Sequence, residues 1–110
     1  MAERACTQKT AETIETALKK VVSSEHGTGH AAMRNDITLA GKTGTAEIKA
    51  SKGDTSGTEL GWFAVYTADG PDHTPILMVS MVEDVKNAGG SGLVVRKAKA
   101  VLDSYIPPVQ

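Results

Sequence analysis

One stretch near the middle of the chain combines residue types that suit an anionic ligand. It reads Ala40-Gly41-Lys42-Thr43-Gly44-Thr45-Ala46-Glu47. Lys42 brings a positive charge, and alternation along an extended strand would place the hydroxyls of Thr43 and Thr45 on one face, about 7 Å apart. Gly44 would let a ligand approach the backbone with no side chain in the way. This set suits a carboxylate with an adjacent carbonyl group.

The chemistry of this stretch depends on where its strand lies in a sheet. If the strand is an edge, a peptide could add to it by backbone pairing. The Thr45 N–H could then donate to an oxyanion that develops on the ligand. We therefore take Thr45 as a candidate catalytic residue, and Thr43, Gly44 and Thr45 as candidate substrate-binding residues, with Lys42 as the charge that attracts the ligand. The alternative is a surface Lys-Thr-Gly turn without a function.

A phosphate-binding loop is a second chemical interpretation, because Gly41-Lys42-Thr43 fits the end of the G-x-x-x-x-G-K-[ST] pattern. The first glycine of that pattern would fall on Asp36, whose carboxylate would repel phosphate. The residues that follow Thr43 also make a poor helix start. Nucleotide binding is therefore disfavoured.

Composition excludes several other classes. The chain has 110 residues and a net charge of -1, from 12 basic and 13 acidic residues, so it lacks the basic surface that nucleic acid requires. No apolar run reaches the roughly 18 residues of a membrane span, and the N-terminus does not read as a signal peptide. Cys6 is the only cysteine. His26 and His30 flank two glycines and have no acidic or cysteine partner, so we expect no metal and no cofactor.

Two helices are expected at the ends of one domain that covers residues 1–110. The first carries an apolar stripe at helical spacing and ends before Gly27 and Gly29; the stripe is Ala11, Ile14, Leu18, Val21 and Val22. The second starts with Ser91 as its N-cap and stops before Pro107-Pro108.

Three strands are expected between the helices: Ile37–Ala50, Leu60–Ala68 and Ile76–Val82. A polar loop over Ser51–Glu59 and a turn over Asp69–Asp72 connect them. The third strand is apolar on both faces, so we predict that it is central and covered on both sides. Trp62, Phe63, Met78 and Met81 are predicted to fill the core. The short connections favour an antiparallel three-stranded meander with both helices packed on it, an α+β fold.

The order of these motifs resembles the C-terminal part of the transpeptidase domain of class B high-molecular-weight penicillin-binding proteins. The shared features are Val21-Val22, Gly27-Thr28-Gly29, the stretch Ala40–Glu47, Gly61-Trp62-Phe63-Ala64-Val65-Tyr66, and the terminal helix. The resemblance implies part of a serine β-lactamase-like fold. It also implies a serine acyltransferase that cross-links peptidoglycan stem peptides and is acylated by β-lactams. The family has three motifs, which are Ser-x-x-Lys, Ser-x-Asn and Lys-Thr-Gly, and Lys42-Thr43-Gly44 matches the third.

By the family pattern, Lys42 is a candidate catalytic residue, which supports the charge and proton network of the site. Thr43 and Thr45 contact the carboxylate of the substrate or β-lactam, and the Thr45 N–H forms half of the oxyanion hole. The chain departs from the family in one large respect. None of its seven serines has Lys at the third following position or Asn at the second, so the first two motifs are absent.

These observations predict an incomplete transpeptidase domain that is inactive alone. Its expected partners are the stem peptide and β-lactams in the parent, the upstream part of the same domain, and a second copy of the fragment, because apolar surface would be left open. The parent would lie on the extracytoplasmic face of the bacterial cytoplasmic membrane. The alternatives are a non-catalytic regulatory or interaction module and a domain related to β-lactam sensors.

Overall fold

The computed structural model describes residues 4–48, 53, 57–69 and 75–107. Its elements in chain order are α1 (Gln8–Ser23), a short 3-10 helix (His30–Ala32), β1 (Thr38–Glu47), β2 (Glu59–Asp69), β3 (Leu77–Val82) and α2 (Ser91–Tyr105). Two helices flank a three-stranded antiparallel sheet in the order β1-β2-β3. The predicted α+β meander is confirmed.

Helix α1 begins before its apolar stripe. Thr7 is the N-cap, and its hydroxyl accepts a hydrogen bond from the N–H of Thr10 at 3.1 Å. Val22 is the one residue of α1 that is buried, whereas Ile14 is 51% exposed. The stripe that predicted this helix therefore packs mainly at its C-terminal end, and much of it stays open.

The central strand is β2, not β3, so that prediction from the sequence is wrong. Strand β3 lies at the edge of the described sheet, and Leu77, Val79 and Met81 alternate outward with exposures of 69%, 61% and 42%. Met81 pairs with Trp62, which is 39% exposed on the same face. An apolar pattern on both faces predicts burial only where a second layer covers each face, and no described element covers this one.

The core lies on the opposite face of β2. Phe63 and Val65 point into it at 0% and 1% exposure and meet buried side chains of α2 and the segment before it: Val85, Val94, Val95, Ala98 and Leu102. A Cβ on Gly61 would lie 2.8 Å from both Val85 and Val94, so this glycine permits their close approach to the strand. The core positions predicted for Phe63 and Met78 are confirmed, and those for Trp62 and Met81 are wrong.

Helix α2 is capped by glycine and not by Ser91, which is its first helical residue. The N-cap is Gly90, with φ 62° and ψ -148°, and no side chain caps the helix. Gly89 also has a positive φ, of 100°. The chain turns here through conformations that favour glycine, so the cap falls one residue before the serine. The helix ends at Tyr105, ahead of Pro107 as predicted.

Two predicted connections fall mainly outside the described residues. These are the turn after Asp69 and all of the Ser51–Glu59 loop except residues 53 and 57–59. Glu59 itself begins β2, and β1 ends at Glu47, with residues 49–50 outside the described part. Among the described residues, no helix has the length and apolar content to cross a membrane.

Candidate functional site

The site residues lie on β1, and backbone alternation decides which way their polar groups point. The N–H of Ile48 donates to the carbonyl of Thr58 at 2.9 Å, so Ile48 faces β2. The register from Leu39 to Glu47 is regular. Successive residues of a strand point their N–H and C=O groups to opposite sides. Lys42 and Gly44 therefore face β2, whereas Thr43 and Thr45 face away from it.

One further hydrogen bond agrees with this assignment. The N–H of Thr67 donates to the carbonyl of Ile76 at 3.1 Å, which turns the odd-numbered residues of β2 toward β3. Their even-numbered neighbours, Ala64 and Trp62, then face β1, and they are the register partners of Lys42 and Gly44. In the described sheet, β1 is thus an edge strand, with the Thr45 N–H on its outer side.

Lys42 bends back onto this outer edge. Its side chain is exposed, and its Nζ donates to the carbonyl of Thr43 at 2.7 Å. The ammonium group is therefore held beside the outward backbone groups of β1. A positive charge at that place attracts an anion that approaches the strand edge.

The two threonines occupy different environments although they share one face. Thr43 is 7% exposed, and its Oγ1 lies 2.8 Å from the Oγ1 of Thr28, in the turn between α1 and the 3-10 helix. Thr45 is exposed. The sequence analysis named Thr28 only within the shared segment Gly27-Thr28-Gly29 and gave it no role in the site. The side-chain contact with Thr43 could not be predicted, because the two residues are 15 positions apart.

The two glycines of the motif differ in what surrounds them. A Cβ on Gly41 would lie 2.7 Å from the Ala64 carbonyl and 3.1 Å from the Phe63 ring. A Cβ on Gly44 would meet nothing nearer than 3.8 Å, the Cβ of Trp62. Gly41 is therefore required by packing, whereas Gly44 leaves open space beside the strand.

A buried ionic cluster holds the segment that leads into β1. The Arg34 side chain is 4% exposed and makes two hydrogen bonds to Asp36, at 2.9 and 2.6 Å. It also donates to the carbonyl of Ile106 and lies 3.6 Å from Asp103 of α2. Sequence reasoning missed Arg34. The planar guanidinium ties the start of the site strand to the end of the last helix.

Helix α1 touches β2 through a polar contact. The hydroxyl of Tyr66 donates to Glu15 at 2.9 Å. Burial raises the pKa of the Tyr66 phenol above its ordinary value, and the hydrogen bond to Glu15 and its negative charge add to the shift. Tyr66 pairs with Ala40, so this contact lies beside the first half of β1.

Two other chemistries find no support in this geometry. Lys42 and Thr43 lie inside a strand and not at a loop–helix junction, so the phosphate-loop alternative is wrong. His30 is partly buried, with its Nδ1 2.9 Å from the carbonyl of Val22, whereas His26 is exposed. Among the residues that the structure describes, no three His, Cys, Asp or Glu side chains are grouped to hold a metal ion.

The family follows from a comparison with known domains. The sequence of residues 1–103 matches the family model for the penicillin-binding protein transpeptidase domain. The chain belongs to this family. It is 44% identical over 98 residues to penicillin-binding protein 3 of Bacillus subtilis (strain 168), a match that covers 89% of this chain and 14% of that protein. The resemblance drawn from the sequence motifs is confirmed.

Two solved structures share the fold of this chain. The transpeptidase domain of Burkholderia pseudomallei penicillin-binding protein 3, in its apo form, superposes with a TM-score of 0.57 at 23% identity, over 93% of this chain and 32% of that one. A putative peptidoglycan glycosyltransferase from Atopobium parvulum DSM 20469 superposes with a TM-score of 0.62 at 19% identity, over 93% of this chain and 24% of that one. The chain thus spans a third or less of the length of each of these relatives.

Proposed function

We propose that this chain supplies the Lys-Thr-Gly wall of a peptidoglycan D,D-transpeptidase site that also binds penicillin. The observation that carries the proposal is the outer edge of β1, where the Thr45 N–H points away from the sheet beside the Lys42 ammonium. Residues 1–110 are then the C-terminal portion of one incomplete domain of class B type. The nucleophilic serine and its general base come from the upstream part of that domain.

Each site residue has a distinct role in this proposal. The substrate or β-lactam lies along β1 as an added strand. The Thr45 N–H donates to the oxyanion that forms when the serine attacks the carbonyl carbon. The Thr45 and Thr43 hydroxyls bind the ligand carboxylate, Lys42 balances its charge, and Gly44 gives the space for close approach.

The upstream part of the domain is the partner that the open face requires. Trp62, Leu77, Val79 and Met81 form a contiguous apolar patch on the face of the sheet opposite α2. A patch of this kind on an isolated chain favours association. The fragment alone is expected to form homo-oligomers, and the added upstream part is expected to replace the second copy. Sedimentation that stays monomeric at all concentrations would contradict this.

The deciding experiment is intact-mass spectrometry after incubation with a fluorescent penicillin. The chain is tested alone and after addition of the upstream part of its domain. We expect an adduct only after addition, located on the added serine. An adduct on this chain alone would contradict the proposal, and a folded complex that forms no adduct would favour a non-catalytic module with this fold.

Point variants connect the adduct to the proposed wall. Lys42→Ala and Thr45→Ala each remove a hydrogen bond or charge that acts on an anion, worth about 1.5–3 kcal/mol, so acylation should slow roughly 10- to 100-fold. Lys97→Ala and Thr38→Ala are matched controls, because both side chains are exposed and lie outside the site. Equal acylation rates in all four variants would contradict a role for Lys42 and Thr45 in the reaction.

The parent is proposed to act on the extracytoplasmic face of the bacterial cytoplasmic membrane. Peptidoglycan is assembled there, and the family relationship supports the assignment. Protease added to intact spheroplasts should degrade the parent protein, whereas a cytoplasmic marker should survive. Protection of the parent would contradict this location.

A further inference from the structure

The turn before β1 brings a second hydroxyl to the site strand. Thr28 lies between Gly27 and Gly29, and its Oγ1 is 2.8 Å from that of Thr43. Thr28 is exposed, whereas Thr43 is 7% exposed. The buried hydroxyl of the Lys-Thr-Gly motif is thus linked to one that solvent can reach.

Packing holds this turn in one place. The N–H of Gly29 donates to the carbonyl of Val21 at 3.0 Å. A Cβ on Gly27 would lie 2.2 Å from that carbonyl oxygen, and one on Gly29 would lie 3.2 Å from the Phe63 ring. The turn therefore rests against both the end of α1 and the core. Thr28 cannot move away from Thr43 unless these contacts break.

The hydrogen bond between the Thr28 and Thr43 hydroxyls can run in either direction. In the structure Thr43 donates to Thr28. A threonine hydroxyl carries one proton and two acceptor lone pairs, and its proton rotates to suit its partners. If Thr28 donates instead, the Thr43 oxygen is still bonded and its own proton becomes available. The reversal leaves neither oxygen without a partner.

We propose that Thr28 is a positioning residue of the site, which rests on the function proposed above. When a carboxylate binds beside Thr43 and Thr45, the Thr28 hydroxyl turns to donate to Thr43. Thr43 then donates its proton to the carboxylate. Hydrogen bonds in such a chain polarise one another, so the outer donor strengthens the inner one. Thr28 thus acts on the ligand through Thr43.

The test compares a ligand with and without its negative charge. Thr28→Val removes the hydroxyl and keeps the side-chain shape, and Thr28→Ser restores the hydroxyl. In the complex with the upstream part of the domain, we expect Thr28→Val to be acylated roughly tenfold more slowly by benzylpenicillin, a loss of about 1.4 kcal/mol. The effect on its carboxylate methyl ester should be small, because the ester carries no charge. Thr28→Ser should act like the unmodified chain.

A second measurement asks whether the two hydroxyls are coupled at all. The unfolding constants of Thr28→Val, Thr43→Val and the double variant form a double-mutant cycle on the 110-residue chain. Each variant raises the unfolding constant by some factor. We expect the product of the two single-variant factors to exceed the factor of the double variant by several-fold. Thr38→Val, an exposed threonine of β1, is the control and should show no coupling to Thr28→Val.

The outcomes separate this inference from the function on which it rests. Suppose that the unmodified complex is acylated. If Thr28→Val then changes the acylation rates of benzylpenicillin and its methyl ester equally, or changes neither rate, the proposed role of Thr28 is wrong and the proposed function stands. If the unmodified complex is folded but not acylated, the function fails and the role of Thr28 fails with it. An additive double-mutant cycle would overturn the pair itself.

Discussion

The two halves of β1 differ in how deeply they are buried. In the first half, Leu39, Ala40 and Gly41 are all buried, and the Phe63 ring lies against the glycine. In the second half, Thr45, Ala46 and Glu47 are all exposed. The motif Lys42-Thr43-Gly44 lies at the boundary between the two. A strand that is anchored at one end can present rigid backbone groups at the other.

The difference shows that the contacts which support β1 are concentrated at one end of the strand. The first half is supported on several sides, by the Arg34 cluster at its start, by α1 and by the core. These contacts fix the direction of the whole strand. The second half is exposed, which leaves its outer edge open to the ligand proposed above. Each prediction below tests this division of the strand.

The largest effect should come from the anchor before β1. Arg34→Ala would leave the carboxylates of Asp36 and Asp103 without their guanidinium partner in a partly buried place. Loss of one member of a buried ion pair costs about 3–5 kcal/mol. Urea unfolding should show a loss of this size for Arg34→Ala and little change for Arg96→Ala, whose side chain is exposed. Equal losses would show that the cluster is not an anchor.

A smaller effect should distinguish the two glycines. Gly41→Ala places a methyl group 2.7 Å from the Ala64 carbonyl, so the sheet must shift, at a cost of about 1–3 kcal/mol. Gly44→Ala places its methyl group 3.8 Å from the Cβ of Trp62, an ordinary contact distance, so the free energy of unfolding should change by about 0.5 kcal/mol or less. Urea unfolding of both variants gives the comparison. A similar loss in both would mean that the second half is packed as well.

Amide hydrogen exchange should alternate along the motif. The N–H groups of Lys42 and Gly44 face β2 and should be protected, whereas those of Thr43 and Thr45 face outward. We expect exchange at the outward positions to be at least about tenfold faster, or about 1.4 kcal/mol less protected. Two-dimensional NMR in deuterated solvent measures each amide. Uniform protection would show that another strand covers this edge in solution.

The smallest effect concerns the contact between α1 and β2. Because the folded-state pKa of Tyr66 is raised, its neutral form contributes stability below pH 10 that is lost as pH rises through the folded-state pKa. Glu15→Gln removes the charge and should lower that pKa toward its ordinary value. Ultraviolet titration of a Tyr105→Phe background follows Tyr66 alone, since the chain has two tyrosines. An unchanged pKa would contradict the contact.

Local patterns predicted the elements well. The alternation of Phe63 and Val65 and the glycines after α1 identified strands and a helix end, because these depend on neighbours in sequence. The same reasoning failed for β3 and Trp62. Their burial depends on whether another layer covers that face, which no local pattern contains.

The site could be predicted in part for the same reason. The motif itself indicated Lys42, Thr43 and Thr45 as candidates, and strand alternation correctly placed the two threonine side chains on one face. It could not show that Thr43 contacts Thr28 or that Arg34 reaches α2, since these contacts join distant parts of the chain. Pairs of this kind follow from the tertiary fold and not from residue type.

The bond from Lys42 to the Thr43 carbonyl has a consequence for solubility. An exposed strand edge is a template on which identical chains can assemble into larger sheets, and a lysine on the edge is one way in which natural proteins prevent this. The ammonium group occupies one of the acceptors that a second chain would need, and it repels the same group on that chain. The charge that we propose to attract an anionic ligand would therefore also discourage aggregation through β1.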